Sequence, residues 1–445
     1  MEADQDKTGS AVSVEPTVTP DADTDQPAIQ PALIDANLAD SFGEYLRVWL
    51  KRVRSGDAGL LPVLAGYVVI VIIFQTQNSH FLSAKNFVAL LEQASYFVLF
   101  GMAEVFVLLL GEIDLSVGFV GVCGGAITAI LASQQLHGWP WWAAALAGLI
   151  FCALVGALQG LVVTRLRVPS FVVTLGGLLA FEGVLLYILN SWSGTSSGGT
   201  VAVNNSILVD LNNGAITPVA GWIIMIGLVA LYAVYVLGRD RRRQAAGLVV
   251  PPVGLSLLKI AAVAVAGVVL VAVCNINTGV TGGRAIHGVP WGVLIILGIV
   301  VIATVLLGRT RFGRYVYAVG GNAEAARRAG INLSRIRLLC FTLCALMAGL
   351  AGLFYVSNLQ SISTSVDGGN LVLYAVAAAV IGGTSLFGGR GKIIHAVIGG
   401  LIIATIANGM GLIGLNADAQ DVVTALVLVA AATVDALGRR GRAAA

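Results

Sequence analysis

The chain is poor in charge. Only 11% of its 445 residues are Asp, Glu, Lys or Arg, where soluble domains carry roughly 25%. That deficit excludes an ordinary soluble globular protein. Cysteine is also scarce: Cys123, Cys152, Cys274, Cys340 and Cys344 all fall within or beside apolar runs, with no metal-ligand or disulfide spacing. The four histidines (His80, His137, His287, His395) are isolated from carboxylates and thiols, so neither a zinc site nor a catalytic triad is suggested and no cofactor is expected. No nucleotide-binding loop appears, because Gly391-Lys392-Ile393 lacks the Ser/Thr and Leu386 stands where its first glycine belongs. No cleavable leader is expected, since the chain opens on a polar stretch. Neither a selectivity-filter run nor a regular ring of charge suggests a channel.

What is present is apolar sequence, 57% of the chain, with 55 glycines and a mean hydropathy of +0.90. Runs of about 20 apolar residues recur, which defines an all-α polytopic membrane protein in contact with the lipid bilayer. We expect twelve spans, interrupted by Gly-rich segments, near 60–75, 87–110, 115–133, 141–163, 170–189, 218–237, 260–274, 290–307, 337–356, 371–388, 394–413 and 421–437. With both termini cytoplasmic, 24 of the 26 Lys and Arg residues face inward and only Lys85 and Arg284 face outward, a strong positive-inside asymmetry. The same count makes 371–388 a full span rather than a re-entrant loop. The basic residues follow membrane topology, so no nucleic-acid partner is expected.

The membrane domain is bounded as 57–438. Residues 1–41 carry nine carboxylates and one lysine, a composition that buries too little apolar surface to fold alone; a disordered acidic tail is expected. Residues 42–56 place Phe42, Tyr45, Leu46, Trp49, Leu50 and Val53 at helical spacing among Arg47, Lys51, Arg52 and Arg54, the pattern of an amphipathic interfacial helix. Residues 439–445 are expected to form a basic cytoplasmic tail.

Three stretches break the apolar pattern. Between two spans lies Gly320-Gly-Asn-Ala-Glu-Ala-Ala-Arg-Arg-Ala-Gly330, leading through Ile331 to Arg337. Asn322 is an N-cap, Glu324 suits the first turn, Arg327 and Arg328 the last, and Gly330 the left-handed C′ position. The other two, Gly111-Glu-Ile-Asp-Leu-Ser-Val-Gly118 and Gly382-Gly-Thr-Ser-Leu-Phe-Gly-Gly389, each join two spans through glycines and a few polar side chains. Matching interruptions in two halves of a transporter mark substrate-lining or moving parts. That makes Glu112, Asp114 and Ser116, with Gly382, Gly383, Thr384 and Ser385, candidates for translocation or gating, Glu112 and Asp114 through ion pairing. Glu104 and Glu182 are further carboxylates within spans, expected to line a polar interior or to pair with Arg or backbone groups.

These motifs, with Arg167-Val-Pro-Ser-Phe-Val-Val-Thr174 between the first and second, resemble in order those of the permeases of bacterial monosaccharide ATP-binding-cassette (ABC) importers of ribose, galactose and xylose type. The basic insert Gly238-Arg-Asp-Arg-Arg-Arg-Gln-Ala-Ala-Gly-Leu248 is most similar to the xylose-type branch. A departure is Glu182, where many such permeases carry Arg. The resemblance implies a multi-pass permease of the bacterial inner membrane that imports a monosaccharide, D-xylose above others. It implies three partners: a second permease copy in a homodimer, an extracytoplasmic sugar-binding protein, and an ATPase subunit with two nucleotide-binding modules. The permease itself would not be an enzyme. The segment 320–337 would be its coupling helix, with Gly321, Asn322, Glu324, Ala325, Ala326, Arg327 and Gly330 setting its ends and its contact face. A secondary transporter or facilitator working without an ATPase is the competing reading. Sugar recognition would draw on polar and aromatic groups such as Asn78, Tyr96, Trp192, Asn358, Gln360 and Asn370, none singled out by spacing.

Overall fold

Lipid offers no hydrogen bonds, so each apolar run closes its backbone on itself as a helix. A computed structural model describes residues 61–192, 199–248, 250–276, 280–281, 284–285, 287–416 and 418–426, together with residues 47, 429 and 433. The expected acidic tail, the interfacial helix apart from Arg47 (helical and exposed), the basic tail and the far part of the twelfth span lie outside the described residues.

The first five helices are α1 (Leu61–Gln77), α2 (Ala84–Leu108), α3 (Val117–Ala132), α4 (Trp141–Arg165) and α5 (Ser170–Trp192). After strand β1 (Val201–Ala202) come α6 (Ser206–Asn213), α7 (Pro218–Ala245) and α8 (Val253–Cys274). The two-residue strands β2 (Val280–Thr281) and β3 (Arg284–Ala285) precede α9 (Trp291–Arg309), α10 (Arg311–Gly321), α11 (Ala323–Arg328) and α12 (Leu333–Leu359). Strand β4 (Ser361–Ile362), α13 (Gly368–Ile381) and α14 (Ile393–Leu412) follow, and residues 418–426 are again helical.

The eleven expected spans up to residue 413 each fall on a helix. Eight of these helices are long and apolar enough to cross a membrane, whereas Pro62–Gln77, Val117–Ala132 and Gly368–Ile381 are shorter. The span expected over 371–388 is helical only as far as Ile381, where α13 ends. Its 14 residues reach about 21 Å, short of a hydrocarbon core of roughly 30 Å. Non-helical backbone from Gly382 to Lys392 continues from its end.

Two helices hold the centre. Helix α12 packs along α2, α3 and α4, and α2 also packs against α13 and α14. In α3 only Leu131 escapes full burial, and α3 crosses α12 with Gly121 laid on Gly352 so closely that a Cβ on Gly352 would overlap Gly121 O. Small residues of this kind let membrane helices approach at backbone distance. All five cysteines are free and buried in this packing, as their apolar setting led us to expect. Helices α5, α7, α8 and α9 form the outside and expose large apolar side chains such as Leu179 (64%), Val219 (70%), Val253 (69%) and Ile302 (69%). Water would make such a surface aggregate; lipid makes it the solvated face.

Two short helices went unforeseen. Helix α6, in the loop expected over 191–213, starts from the Asn205 cap and docks on α12, with Asn212 N donating to Ser357 Oγ at 3.0 Å. Antiparallel β1 and β4 pair beside it, Val201 opposite Ile362. Helix α10 lies at the opposite end of α12. We expect Gly352→Leu to force α3 and α12 apart at a cost of about 1–3 kcal/mol. A lower unfolding temperature in detergent, with expression retained, is the measurement.

Candidate functional site

The chain leaves α9 at Arg309 and turns into α10, where the Thr310 hydroxyl accepts from Gly313 N at 3.2 Å. Gly313, Val316 and Val319 are buried while Arg311, Arg314 and Tyr315 are exposed, so α10 lies on its side against the bundle. The apolar spacing Phe312, Val316, Val319, with Arg311 and Arg314 on the other face, is the signal that would have found it.

Asn322 then breaks the helix in extended geometry, and its Oδ1 accepts from Ala325 N at 2.9 Å to start α11. Glu324 pairs with Arg327 at 2.8 Å and Arg328 at 3.3 Å. Ile331 N donates to Ala326 O and Gly330 N to Arg327 O, both at 3.0 Å, with Gly330 at φ +82°. This is the Schellman closure expected of the Gly330 stop. Asn332 caps the next helix, accepting from Arg335 N at 3.0 Å, so α11 is joined to α12 by a few fixed residues. One expectation needs correcting. Ala326 does not belong to the contact face, because it is turned inward and is 3% exposed. Glu324, Ala325, Arg327 and Arg328 make the exposed face instead.

The segment is anchored through backbone. A Cβ on Gly320 would run into Leu109 O, and one on Gly388 would stand 2.8 Å from both Gly111 N and Gly320 O. Gly389 N donates to Leu109 O at 2.9 Å, and Tyr317 Oη donates to Gly391 O at 2.8 Å. Glu112 Oε1 lies 3.2 Å from Arg337 Nε in the first turns of α12. The end of α10, the loop after α2 and the loop after α13 therefore meet at one node. Sequence reading paired the two loops by their similarity but gave Tyr317 and Arg337 no part in it.

Both loops begin the same way. Glu112 N donates to Val107 O and Gly111 N to Leu108 O; Thr384 N donates to Ala379 O and Gly383 N to Val380 O. Gly111 and Gly383 take positive φ, +77° and +109°. Each helix thus stops in a Schellman motif inside the protein, satisfying carbonyls that lipid would leave bare.

Asp114 lies beneath the node, 1% exposed. Its Oδ1 accepts from Ser116 N at 2.9 Å and Ser116 Oγ at 2.6 Å, and Ser116 Oγ accepts from Gln159 Nε2 at 2.8 Å. Thr174 Oγ1 donates to Ile113 O at 3.2 Å. Asp114 thus fixes its loop through hydrogen bonds from Ser116, itself tied to α4 by Gln159, rather than through the ion pair expected of it, while Glu112 has its pair. Ser385 holds the second loop, N to Arg390 O at 2.9 Å, with its Oγ accepting from Phe387 N at 3.2 Å. Thr384, 1% exposed, leaves Oγ1 without a hydrogen bond. Glu104 is fully buried close to Asp114 and pairs with no Arg among the described residues, whereas Glu182 is exposed on α5; the interior expectation fails for Glu182 because α5 is an outer helix.

The polar groups considered for sugar recognition serve separate contacts: Asn78 Nδ2 donates to Leu412 O, Asn370 Nδ2 to Asp421 Oδ1, and Gln360 O receives Val203 N. Tyr96 is buried edge-on to Tyr355, ring centroids 5.2 Å apart. Trp192 is exposed. Among the described residues no group of three His, Cys, Asp or Glu side chains gathers to hold a metal.

The fold and node define a polytopic membrane protein whose surface helix is clamped to two buried loops. The family model for the branched-chain amino acid transport system / permease component matches residues 86–432, and the chain belongs to that family. It is 36% identical to the xylose transport system permease protein XylH of Escherichia coli (strain K12) over 391 residues, 87% of this chain and 94% of that protein. XylH of Haemophilus influenzae matches at 33% over 87% and 99%. The ribose import permease protein RbsC of Escherichia coli (strain K12) matches at 30% over 88% and 95%. No solved structure matches. The expected resemblance to xylose-type permeases therefore holds.

Gly320→Val should push the α10 terminus off Leu109 O. Amide hydrogen exchange of residues 109–112 and 387–391 is expected to rise, with the outer helices α7 and α8 unchanged.

Proposed function

We propose that this chain is the transmembrane subunit of an ATP-driven importer that carries a pentose, D-xylose above others, across the bacterial inner membrane. The observation that carries the coupling is the node. A push on α11 reaches α12 through a few capped residues and reaches both buried loops through the backbone contacts of Gly320, Leu109 and Gly389. Rigid elements that move together are what hinge or rocking transitions require. In this reading the exposed Glu324, Ala325, Arg327 and Arg328 meet a separate ATPase with two nucleotide-binding modules. A second copy completes the pathway, and a sugar-binding protein delivers the cargo at the β1–β4 end. The charge asymmetry supports both termini in the cytoplasm with twelve spans between, the tenth made of α13 and the non-helical backbone that carries it on to the node. The pentose assignment rests on the xylose permeases among its relatives and on the basic insert. Gly382 to Ser385 and Glu112 to Ser116 act as gating loops, held by hydrogen bonds and the Glu112–Arg337 pair.

Reconstitution with the ATPase and binding protein tests this. ATP-dependent xylose uptake is expected, exceeding that of ribose, with none from the chain alone. Ala325→Glu or Arg327→Glu should abolish uptake while membrane insertion stays normal. Full uptake by those variants refutes the coupling assignment, and uptake without ATPase establishes a facilitator instead.

Charge reversal tests the clamp separately. Arg337→Glu should impair uptake, and Glu112→Arg combined with it should recover a measurable part, because the ion pair is restored with opposite polarity.

A further inference from the structure

Helices α7 and α9 are pinned together at both ends. At the β1–β4 end Ile216 N donates to Val289 O at 2.9 Å and Trp291 N to Gly214 O at 2.9 Å. At the basic end Arg309 Nη2 donates to Tyr235 Oη at 2.8 Å, its guanidinium carbon 5.9 Å from the centre of the Tyr235 ring. Between the pins the helices stay open. The stripe running back along α7 from Tyr235 carries Leu231 (66% exposed) and Leu228 (39%), and the stripe along α9 from Arg309 carries Val305 (48%) and Ile302 (69%). A side chain added at Gly227 or Gly298 would meet nothing within 4 Å.

The mouth of this slot is strongly basic. Arg239 and Arg242 continue the Tyr235 stripe beyond it. The one nearby carboxylate, Asp240, is already occupied by Arg239 at 3.0 Å and by the Ser256 hydroxyl at 2.6 Å. Arg241, Arg242, Arg243 and Arg309 are exposed, and none has a carboxylate partner among the described residues.

We propose that the slot between α7 and α9 binds an anionic phospholipid, with an acyl chain along the apolar stripes and its phosphate on Arg309 and Tyr235. The apolar walls match hydrocarbon, and basic pockets between helices at a membrane face select acidic headgroups. The hydrogen bond to Tyr235 Oη orients the guanidinium, whose remaining N–H groups suit two phosphate oxygens. The transport function proposed for the chain plays no part in this inference.

The test places the full chain in phosphatidylcholine vesicles with trace spin-labelled phosphatidylglycerol or spin-labelled phosphatidylcholine, and reads the motionally restricted fraction. Wild type should retain phosphatidylglycerol over phosphatidylcholine. Arg309→Gln should reduce that preference about fivefold, since one basic residue at the surface is worth about 1 kcal/mol. Ile302→Trp, which fills the slot, should lower retention of both lipids, and Arg165→Gln, on α4, should change neither. Equal retention of the two lipids by wild type, or unchanged retention in both Arg309→Gln and Ile302→Trp, overturns the proposal. Displacement of the labelled lipid by millimolar inorganic phosphate also overturns it, because the site would then be one for free anions.

Discussion

In lipid every backbone N–H and C=O must find a partner within the protein, and this structure meets that demand at the places where its helices stop. Helices α2 and α13 both end inside the bundle, so the loops 109–116 and 382–392 need protein around them. Gly389 N on Leu109 O and the contact of Gly320 with the same carbonyl supply it. The lack of side chains at Gly320 and Gly388 lets three backbones share one small volume. The two buried loops and the surface helix consequently form one mechanical unit, although more than 200 residues separate Leu109 from Gly320 in the chain.

Charge is placed around that unit economically. Glu112 and Arg337 bridge the first loop to α12, and Asp114 is held by hydrogen bonds from Ser116. A buried carboxylate without such partners is expensive. By contrast, the Glu324 pairs with Arg327 and Arg328 are exposed and contribute little stability in solvent. They leave the face of α11 charged and available, which suits a docking surface better than a structural strut.

Legibility followed how local each interaction is. The Asn322 cap and the Gly330 stop were readable because a cap needs only residues within one turn, and the structure closes α11 by those two devices. The helical character of the apolar runs was readable for the same reason. Ala326 was misassigned, since which side of a two-turn helix faces inward depends on what lies under it. Helix α13 stops at Ile381 although the apolar run goes further, because Gly383 reverses the chain and the node satisfies the backbone beyond it. Glu182 sits in an apolar run that nothing in its own neighbourhood marks as peripheral.

By itself the sequence determined the class of protein, its charge polarity, the limits of helix α11 and the two related interruptions. Each of these depends on composition, or on residues a few positions apart. Tertiary structure alone decided that the interruptions meet each other and meet Gly320, that Arg337 answers Glu112, and that α7 and α9 stand apart between two pins. Those facts join residues distant in sequence. They come from how closely whole helices can approach, which no local pattern of side chains encodes.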